Sequence, residues 1–156
     1  MISLRKMLEP EYQAYLDYFI PDYAAEIAAN YGLTLVDAAA QAQREIAHSL
    51  PHGPQTAGHI LFCIFDRTAK GEDHVGYLWC KPDTEAQSVF IYDFGILPAF
   101  QGRGLGKAAL ARFEDDMAAL GFKQIKLRVA GDNARAKHVY ERGGFRVTGI
   151  NMAKSI

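Results

Sequence analysis

The chain has 156 residues, of which 49% are hydrophobic and 22% are charged, a composition ordinary for a globular protein with a buried core. No low-complexity linker divides it, so we expect a single domain spanning residues 1–156. The net charge of -1 excludes the broad basic surface that nucleic-acid binding requires, and no apolar run approaches the length of a membrane span or a leader segment. We therefore expect a cytoplasmic protein with neither a nucleic-acid nor a membrane partner.

The N-terminal third predicts a short strand followed by helices. Weak alternation indicates a strand at residues 2–7, and apolar residues at three- and four-residue spacing indicate a helix over residues 9–30. Pro21 is expected to break or kink that helix, since proline removes a backbone donor. A second helix is expected over residues 35–48, with Thr34 as its N-cap.

The middle of the chain predicts three strands. Residues 59–66 and 74–81 are β-like and are separated by a turn at residues 67–73, which favours an antiparallel hairpin. A third β segment covers residues 88–97. Cys63 and Cys80 lie in these apolar runs without CxxC spacing or a histidine cluster, so we expect buried thiols and neither a disulfide nor a metal.

The C-terminal third predicts a helix over residues 104–120, a strand over 125–129, a shorter helix over 133–142 and a final strand over 145–152. This element order predicts an α/β fold with a mixed, mostly antiparallel sheet flanked by helices. The strand–helix–strand unit within residues 88–130 is expected to form a right-handed parallel crossover.

A glycine-rich loop between the third β segment and the following helix indicates an anion site. Gly102, Gly104 and Gly106 allow a ligand to approach the backbone closely and allow positive φ angles. The amides that follow begin a helix, whose unpaired N–H groups and positive dipole end favour an anion. Arg103 and Lys107 add positive charge there, so the loop predicts phosphate binding.

Two common nucleotide motifs do not fit this loop. Gly102 precedes Gly106 by one residue too few for a P-loop, and Ala108 replaces the hydroxyl that would ligate magnesium. The glycine spacing also differs from the dinucleotide fingerprint, and Lys126 and Arg128 stand where an acidic residue would follow.

Two segments together resemble the GNAT superfamily of N-acetyltransferases. Residues 101–106 (QGRGLG) match its Q/R-x-x-G-x-G/A motif, and residues 133–145 resemble its N-x-x-A-x-x-x-Y-x-x-x-G-F segment. Residues 96–98 (ILP) are similar to the V-x-P that ends the family's fourth strand. The resemblance covers residues 90–145, and the earlier elements arrive in the family's order.

The resemblance implies that acetyl-coenzyme A binds in a V-shaped gap where two neighbouring strands of the sheet splay apart. The end of the fourth strand would pair with the pantetheine arm, the loop amides would hold the pyrophosphate, and Asn133 would bond the cofactor arm, cap its helix, or do both. The implied cofactor-binding residues are Phe94, Ile96, Leu97, Gln101, Gly102, Arg103, Gly104, Leu105, Gly106, Lys107 and Asn133.

The resemblance also implies a catalytic tyrosine. Tyr140 matches the family residue that protonates the departing thiolate, although a buried packing role is the alternative. A strand amide near Ile96 would stabilise the carbonyl oxygen. Phe90 occupies the neighbourhood of a family glutamate, so Asp93 becomes the candidate base, with a structural hydrogen bond or a water relay as alternatives. Tyr92 is expected on the strand face opposite Asp93.

The N-terminal helices are implied to form the acceptor pocket, and they are rich in tyrosine and acidic residues. An acidic aromatic wall suits a cationic amine, but tyrosine at helical spacing is also typical of a core. The residues concerned are Tyr12, Tyr15, Tyr18, Tyr23, Tyr31, Glu9, Glu11, Asp17, Asp22 and Glu26.

The sequence thus predicts an acetyl-CoA-dependent N-acetyltransferase that uses direct attack in a ternary complex, without a metal. Its acceptor would be a small-molecule amine or a protein amine. A non-catalytic coenzyme A sensor or assembly domain, and a nucleotide-binding module, are the alternatives. A homodimer is possible through the alanine-rich face of the second helix, at Ala38, Ala39, Ala40 and Ala42.

Overall fold

A five-stranded sheet with helices on both faces forms the molecule, in a computed structural model that describes all residues from Met1 to Ile156. None of the helices combines the length and apolar character needed to cross a bilayer. The strands are β1 (Ile2–Lys6), β2 (Ile60–Thr68), β3 (Gly71–Asp83), β4 (Ser88–Ile96) and β5 (Gln124–Leu127), and the helices are α1 (Tyr12–Tyr31), α2 (Leu35–Ser49), α3 (Leu105–Ala119) and α4 (Ala134–Arg142).

The strands lie in the sheet in chain order. Neighbours from β1 to β4 are antiparallel, whereas β4 and β5 are parallel and connected through α3. This confirms the mixed, mostly antiparallel sheet and the predicted hairpin, although the hairpin turn is shorter than expected because β2 and β3 pair as far as Thr68 and Gly71. Alternating side chains therefore face two separate cores.

One core lies beneath α3 and the other beneath α1 and α2. Phe113 and Met117 of α3 pack on apolar side chains of the sheet, including Phe62, Ile64 and Leu78. On the opposite face, Tyr15 and Phe19 of α1 pack with Ile46 of α2 on Leu61, Tyr77 and Trp79. Cys63 and Cys80 are buried, unbridged thiols, as predicted.

The alanine-rich stripe of α2 packs inside the molecule. Ala38 and Ala42 have no exposed surface and contact Ala24 and Ile27 of α1. The expected dimer surface on this face of α2 is therefore wrong at these two positions, because their small side chains allow the two helices to approach each other. Thr34 caps α2 as predicted, since its side chain accepts a hydrogen bond from the Asp37 amide at 3.1 Å.

Helix α1 continues through Pro21, so the predicted break is wrong. The 20-residue helix places Tyr15 and Phe19 on one side of the proline and Ala24 and Ile27 on the other, all of them buried. Pro21 itself is exposed. Packing of the apolar side chains on both sides of the proline outweighs the loss of one backbone hydrogen bond.

The predicted final strand over residues 145–152 is also wrong. Residues 145–156 contain no regular secondary structure, and Val147, Ile150 and Met152 are 52%, 80% and 92% exposed. No residue of α4 is fully buried either. A strand needs a partner strand for its backbone groups, and this segment has none within its own chain.

We predict that Gly76→Ala destabilises the protein, because a Cβ at this position would lie 2.2 Å from the Gly95 carbonyl oxygen in the neighbouring strand. The backbone must shift, and we expect the free energy of unfolding in urea to fall by about 1–3 kcal/mol. Gly149→Ala is the control, because its Cβ would meet no atom within 4 Å. Equal stability of the two variants would contradict the prediction.

Candidate functional site

The centre of the site is the gap between β4 and β5. The two strands pair from Ser88 and Gln124 to Ile91 and Leu127, and β5 ends there while β4 continues to Ile96. The last residues of β4 therefore have β3 on one side and no strand on the other. This is the splayed arrangement that the resemblance implied.

The backbone at the end of β4 is directed into this gap. The Leu97 amide donates to the Val75 carbonyl on the β3 side at 2.8 Å. Because successive backbone groups alternate in direction, the N–H and carbonyl of Ile96 point towards the gap. Gln101 closes the loop locally, since its side-chain amide donates to the Ile96 carbonyl at 2.9 Å.

A β-bulge at Tyr92 shapes the same strand. Trp79 pairs with Asp93 and Cys80 pairs with Ile91, so Tyr92 is an extra residue in β4. Both Tyr92 and Asp93 line one cavity as a result. The expectation that Tyr92 lies on the opposite face from Asp93 is wrong, because it assumed strict alternation along the strand.

The glycine loop has the conformation that its sequence predicts. Gly102 and Gly104 have φ angles of 75° and 76°, in the left-handed region that favours glycine. The first backbone hydrogen bond of α3 is from Ala108 to the Gly104 carbonyl, so the amides of residues 105–107 have no backbone acceptor. These three N–H groups, at the positive end of a 15-residue helix, are suited to an anion.

The two cationic side chains of this loop behave differently. The Arg103 guanidinium donates to the Ala99 carbonyl at 3.0 Å and lies 5.5 Å from the centre of the Phe100 ring. Lys107 is exposed and takes part in no ion pair. Its ammonium group is therefore available near the α3 amides, whereas Arg103 mainly fixes the preceding turn.

Asp93 is the carboxylate nearest the gap. It is half-buried, and Tyr15, which is completely buried, donates its hydroxyl to Asp93 Oδ2 at 2.8 Å. Burial raises the pKa of Asp93 to about 6, and the negative charges of Asp22 and Glu26 add to the effect, while the Tyr15 hydrogen bond opposes it. The result is a carboxyl group that exchanges its proton near neutral pH.

Helix α4 lies on the opposite side of the gap, with Tyr140 in the helix and Asn133 as its N-cap. Both line the same cavity as Asp93. Burial, together with the Asp93 charge, raises the pKa of Tyr140 to about 12, so its hydroxyl keeps its proton. Asn133 caps α4 by accepting a hydrogen bond from the Ala136 amide at 3.1 Å, which leaves its NH₂ group without a protein partner.

The Tyr18 hydroxyl also lies at this site, although the sequence analysis gave Tyr18 no catalytic role. A Cβ at Gly95 would lie 1.9 Å from the Tyr18 hydroxyl oxygen, so this hydroxyl rests against the bare backbone of β4. Burial raises the pKa of Tyr18, and the charges of Asp93 and Asp22 raise it further. Only glycine at position 95 allows this contact.

The cavity beside these groups has a volume of about 800 Å³ and an aromatic wall on the sheet. Trp79 and Tyr92 stack with their ring centres 4.9 Å apart, and Phe90 contacts Tyr92 edge-on at the same distance. The sequence interpretation missed this wall, because it arises where a bulge in β4 brings side chains of two strands together. The alternate positions of Phe90 and Tyr92 in the sequence were the available indication that their side chains share one face of the strand.

Helices α1 and α2 form the charged wall of the cavity. Asp22 and Glu26 from α1 line it as expected, and Arg44, Glu45 and His48 from α2 were not predicted. The three α2 residues lie on the helix surface beside the buried Ile46. Their spacing of one, three and four residues, which places them on neighbouring parts of one helix face, was the only indication in the sequence that they could line the same cavity.

Hydrogen bonds connect this wall to the rest of the fold. Tyr23 donates its hydroxyl to Glu45, and Arg128 forms an ion pair with Glu26 at 3.4 Å. Tyr23, Glu26, Glu45 and Arg128 also line a second cavity of about 290 Å³. This wall of the cavity therefore combines three carboxylates with aromatic rings and a smaller number of cations.

Only some of the other residues expected in the acceptor pocket line this cavity. Tyr18 and Tyr23 line it, but Tyr31 reaches only the smaller one. Tyr15 lies in the core with Tyr12 packed against it, and Glu11 forms an ion pair with Arg5 at 2.9 Å. Glu9 and Asp17 line neither cavity. The expected wall is therefore wrong at Tyr31, Glu9, Glu11 and Asp17, while Tyr12 and Tyr15 confirm the alternative of a packing role in the core.

The expected cofactor residues fall into two groups. Phe94 and Asn133 line the cavity together with Asp93 and Tyr140. Ile96, Leu97 and the loop at residues 101–107 continue from the end of β4, outside that cavity. The two groups adjoin, because a Cβ at Gly106 would lie 3.6 Å from the Ile96 side chain and 4.0 Å from that of Phe94.

Known proteins share both the sequence pattern and the fold. Residues 37–145 match the profile of the acetyltransferase (GNAT) family. The N-acetyltransferase YycN of Bacillus subtilis is 31% identical, with 99% of each chain covered. Its crystal structure superposes with a TM-score of 0.90 over 100% of this chain and 99% of that one.

More distant relatives extend this picture. A mycothiol acetyltransferase of Gordonia bronchialis is 43% identical over 60% of this chain and 30% of its own length. The PaiA N-acetyltransferase of Thermoplasma acidophilum, solved in complex with coenzyme A, shares the fold with a TM-score of 0.72 at 15% identity, covering 97% and 93% of the two chains.

We predict that Asp93→Asn stabilises the protein at neutral pH. Folding raises the pKa of Asp93 from 3.8 to about 6, so its charged form is disfavoured in the folded state. Its favourable contribution is complete below the unfolded pKa and is lost as the pH rises through the folded pKa. The variant should therefore gain stability relative to the wild type between about pH 4 and pH 7, by about 3 kcal/mol at most.

The measurement is urea unfolding across this pH range. Asp115→Asn, at an exposed position of α3, is the control. A stability difference for Asp93→Asn that does not change with pH would contradict the burial of this carboxylate.

Proposed function

Because this chain belongs to the GNAT family of acetyltransferases, we propose that it transfers an acetyl group from acetyl-coenzyme A to a primary amine by direct attack in a ternary complex. The observation that supports this most strongly is the separation of β4 from β5. It brings Asp93 and Tyr140 to one cavity beside an unpaired strand backbone.

In this proposal acetyl-coenzyme A is the acyl donor, bound along the end of β4. The gap-facing backbone groups of Phe94 and Ile96 pair with the pantetheine arm as a neighbouring strand would, whereas the Leu97 amide and carbonyl are already bonded within the chain, to Val75 and Phe100. The unpaired amides that begin α3 hold the pyrophosphate, with Lys107 adding charge. Asn133 donates its remaining NH₂ group to the arm while its oxygen caps α4.

The loop residues serve this binding in different ways. Gly102 and Gly104 supply the left-handed backbone, and Leu105 and Gly106 supply amides of the helix start. Gln101 and Arg103 hold the loop through the carbonyls of Ile96 and Ala99.

The acetyl transfer needs a neutral amine, a polarised carbonyl and a proton for the leaving thiolate. Asp93 accepts a proton from the attacking amine, a role for which a pKa of about 6 is suitable. The Ile96 amide stabilises the oxyanion. Tyr140 donates its proton to the coenzyme A sulfur as the carbon–sulfur bond breaks, and it recovers a proton from Asp93, whose conjugate acid is much stronger than the phenol. The net result is one proton moved from the amine to the thiol.

The walls of the cavity support a cationic amine as the acceptor. Asp22, Glu26 and Glu45 attract a positive charge, and the Trp79 and Tyr92 rings offer π faces. A small-molecule amine and an exposed amine of a protein both have this chemistry. An open cavity of about 800 Å³ has room for the reacting end of either.

We predict that acetyl-coenzyme A and coenzyme A raise the melting temperature, whereas ATP and NAD do not. A ligand at a hundred times its Kd stabilises the folded state by about 2.7 kcal/mol. Gly104→Ala should reduce this shift, since a side chain at φ 76° displaces the α3 amides.

Gly121→Ala is the matched control, because Gly121 has a φ of 92° at the other end of α3 and is equally open. Stabilisation by ATP or NAD but not by coenzyme A would overturn the proposed donor.

We predict that Tyr140→Phe lowers kcat by about 10²–10⁴, measured as thiol release with a panel of primary amines. Asp93→Asn should lower kcat/KM, and it should remove the loss of activity that we expect of the wild type as the pH falls through about 6, since the base acts in its deprotonated form. Tyr12→Phe, on the core side of α1, is the control. Unchanged rates in both active-site variants, or no thiol release with any amine, would contradict the catalytic proposal and favour a coenzyme A-binding role.

A further inference from the structure

The Tyr18 hydroxyl is a polar group of the larger cavity that has no role in the proposed acetyl-transfer steps. Its oxygen takes part in no hydrogen bond within the chain, whereas those of Tyr15 and Tyr23 each donate to a carboxylate. No buried polar side-chain atom of the protein lacks a hydrogen-bond partner, so the unpartnered Tyr18 oxygen is open to the cavity. Its bonding capacity is therefore free for a ligand.

Helix α1 places two tyrosine hydroxyls along β4. Tyr15 and Tyr18 are three residues apart, a rise of about 4.5 Å along the helix. Asp93 and Gly95 lie in the regular part of the ladder with β3, so they share one face of β4, with their α-carbons about 7 Å apart. Tyr15 donates to Asp93 at 2.8 Å, one turn before Tyr18. The Tyr18 hydroxyl, which rests on Gly95, therefore lies two residues along the strand from the candidate base.

The Tyr18 ring is held in place by its packing. Its centre lies 5.2 Å from that of Tyr77, which is buried in β3, and 6.3 Å from that of Tyr15. Burial raises the pKa of Tyr18, and the nearby Asp93 charge raises it further, so the hydroxyl keeps its proton. The cavity therefore contains a fixed, neutral hydroxyl beside the carboxylate that accepts a proton in the proposed mechanism.

We propose that the Tyr18 hydroxyl accepts a hydrogen bond from the attacking amine and thereby directs the lone pair of its nitrogen at the acetyl carbon. A neutral primary amine has two N–H donors and one lone pair. When one N–H donates to Asp93 and the other to Tyr18 Oη, the lone pair is left for the thioester carbonyl, whose oxygen the Ile96 amide holds. This role rests on the proposed acetyl transfer.

The separation of the two groups suits a single nitrogen. Two hydrogen bonds of about 2.9 Å each, made by one nitrogen atom, span nearly the distance of about 7 Å between neighbouring positions on a strand face. The cavity lies on the α1 side of the sheet, whereas the Ile96 amide points into the gap between β4 and β5. The Tyr18 hydroxyl is therefore on the path of an amine that enters from the cavity, and not beside the carbonyl oxygen.

Tyr18 moves no proton in this step. The nitrogen–carbon bond forms as the carbon–sulfur bond breaks, Asp93 takes one proton from the nitrogen, and Tyr140 supplies one to the sulfur. The second N–H remains in the amide product with its hydrogen bond to Tyr18. A secondary amine has only one N–H, and its extra carbon would meet the Tyr18 hydroxyl instead. Tyr18 should therefore select primary over secondary amines.

The test compares kcat/KM for thiol release from acetyl-coenzyme A in the wild type and in Tyr18→Phe. The acceptors are the fastest-reacting primary amine of the panel and the N-methyl derivative of that amine. Tyr18→Phe should lower kcat/KM for the primary amine by about 10–100-fold, and it should lower the preference for the primary amine by at least about tenfold. The KM for acetyl-coenzyme A should not change. Tyr12→Phe is the control, because it removes a hydroxyl of the same helix outside the cavity.

A second variant tests the place of the hydroxyl without removing it. Gly95→Ala puts a Cβ 1.9 Å from the Tyr18 oxygen, so the hydroxyl must move, and the same loss of preference for the primary amine should follow. In Tyr18→Phe that oxygen is absent, and the nearest ring atom would lie 3.1 Å from the Cβ. Tyr18→Phe/Gly95→Ala should therefore have the same preference as Tyr18→Phe alone.

The role of Tyr18 is overturned if Tyr18→Phe matches the control, if the wild type has no preference for the primary amine, or if Gly95→Ala keeps that preference. Equal losses for both amines also overturn it, because they would mean that Tyr18 acts on the carbonyl oxygen. Each of these results leaves the proposed acetyl transfer intact, since the wild type still releases thiol. A wild type that releases thiol with no amine refutes the acetyl transfer itself, and this role with it.

Discussion

The separation of β4 from β5 beyond Ile91 and Leu127 is the constraint on which the rest of the site depends. A continuous ladder would use the backbone groups at the end of β4 for hydrogen bonds with β5, and no ligand could pair with them. Because β5 ends early, the chain crosses to α4 on the far side of the opening. Asp93 from β4 and Tyr140 from α4 consequently face each other across a cavity rather than across a closed sheet.

The bulge at Tyr92 is a second constraint on the site, and its effect depends on the separation of β4 from β5. It turns both Tyr92 and Asp93 into the cavity, where Asp93 loses solvent and retains one strong hydrogen bond from Tyr15. The fully buried Tyr15 ring stacks on Tyr77 of β3 at 5.0 Å, so the partner of the carboxylate is itself held rigidly. Burial raises the pKa of Asp93 at a cost in stability at neutral pH, a compromise typical of functional sites.

Local patterns allowed the sequence to predict much of the fold and of the phosphate loop. The left-handed glycines at 102 and 104, the Thr34 cap and the Asn133 cap each depend on a few neighbouring residues, and each has the predicted geometry. Pro21 could not be judged in this way, because its helix is held by contacts with the distant sheet. The same limit applies to the aromatic wall, since Trp79 and Tyr92 meet only when a bulge sets their register.

The C-terminal segment shows a different limit, because a strand is defined by its partner and not by its own residues. Val147, Ile150 and Met152 favour a strand by residue type, but residues 145–156 pair with no strand of the sheet, and these side chains are exposed. Helix α4, which has no fully buried residue, is positioned by its Asn133 cap at one end and by the Phe145 contact at the other. The position of Tyr140 therefore depends on these contacts at the two ends of α4, since the helix has no fully buried residue of its own.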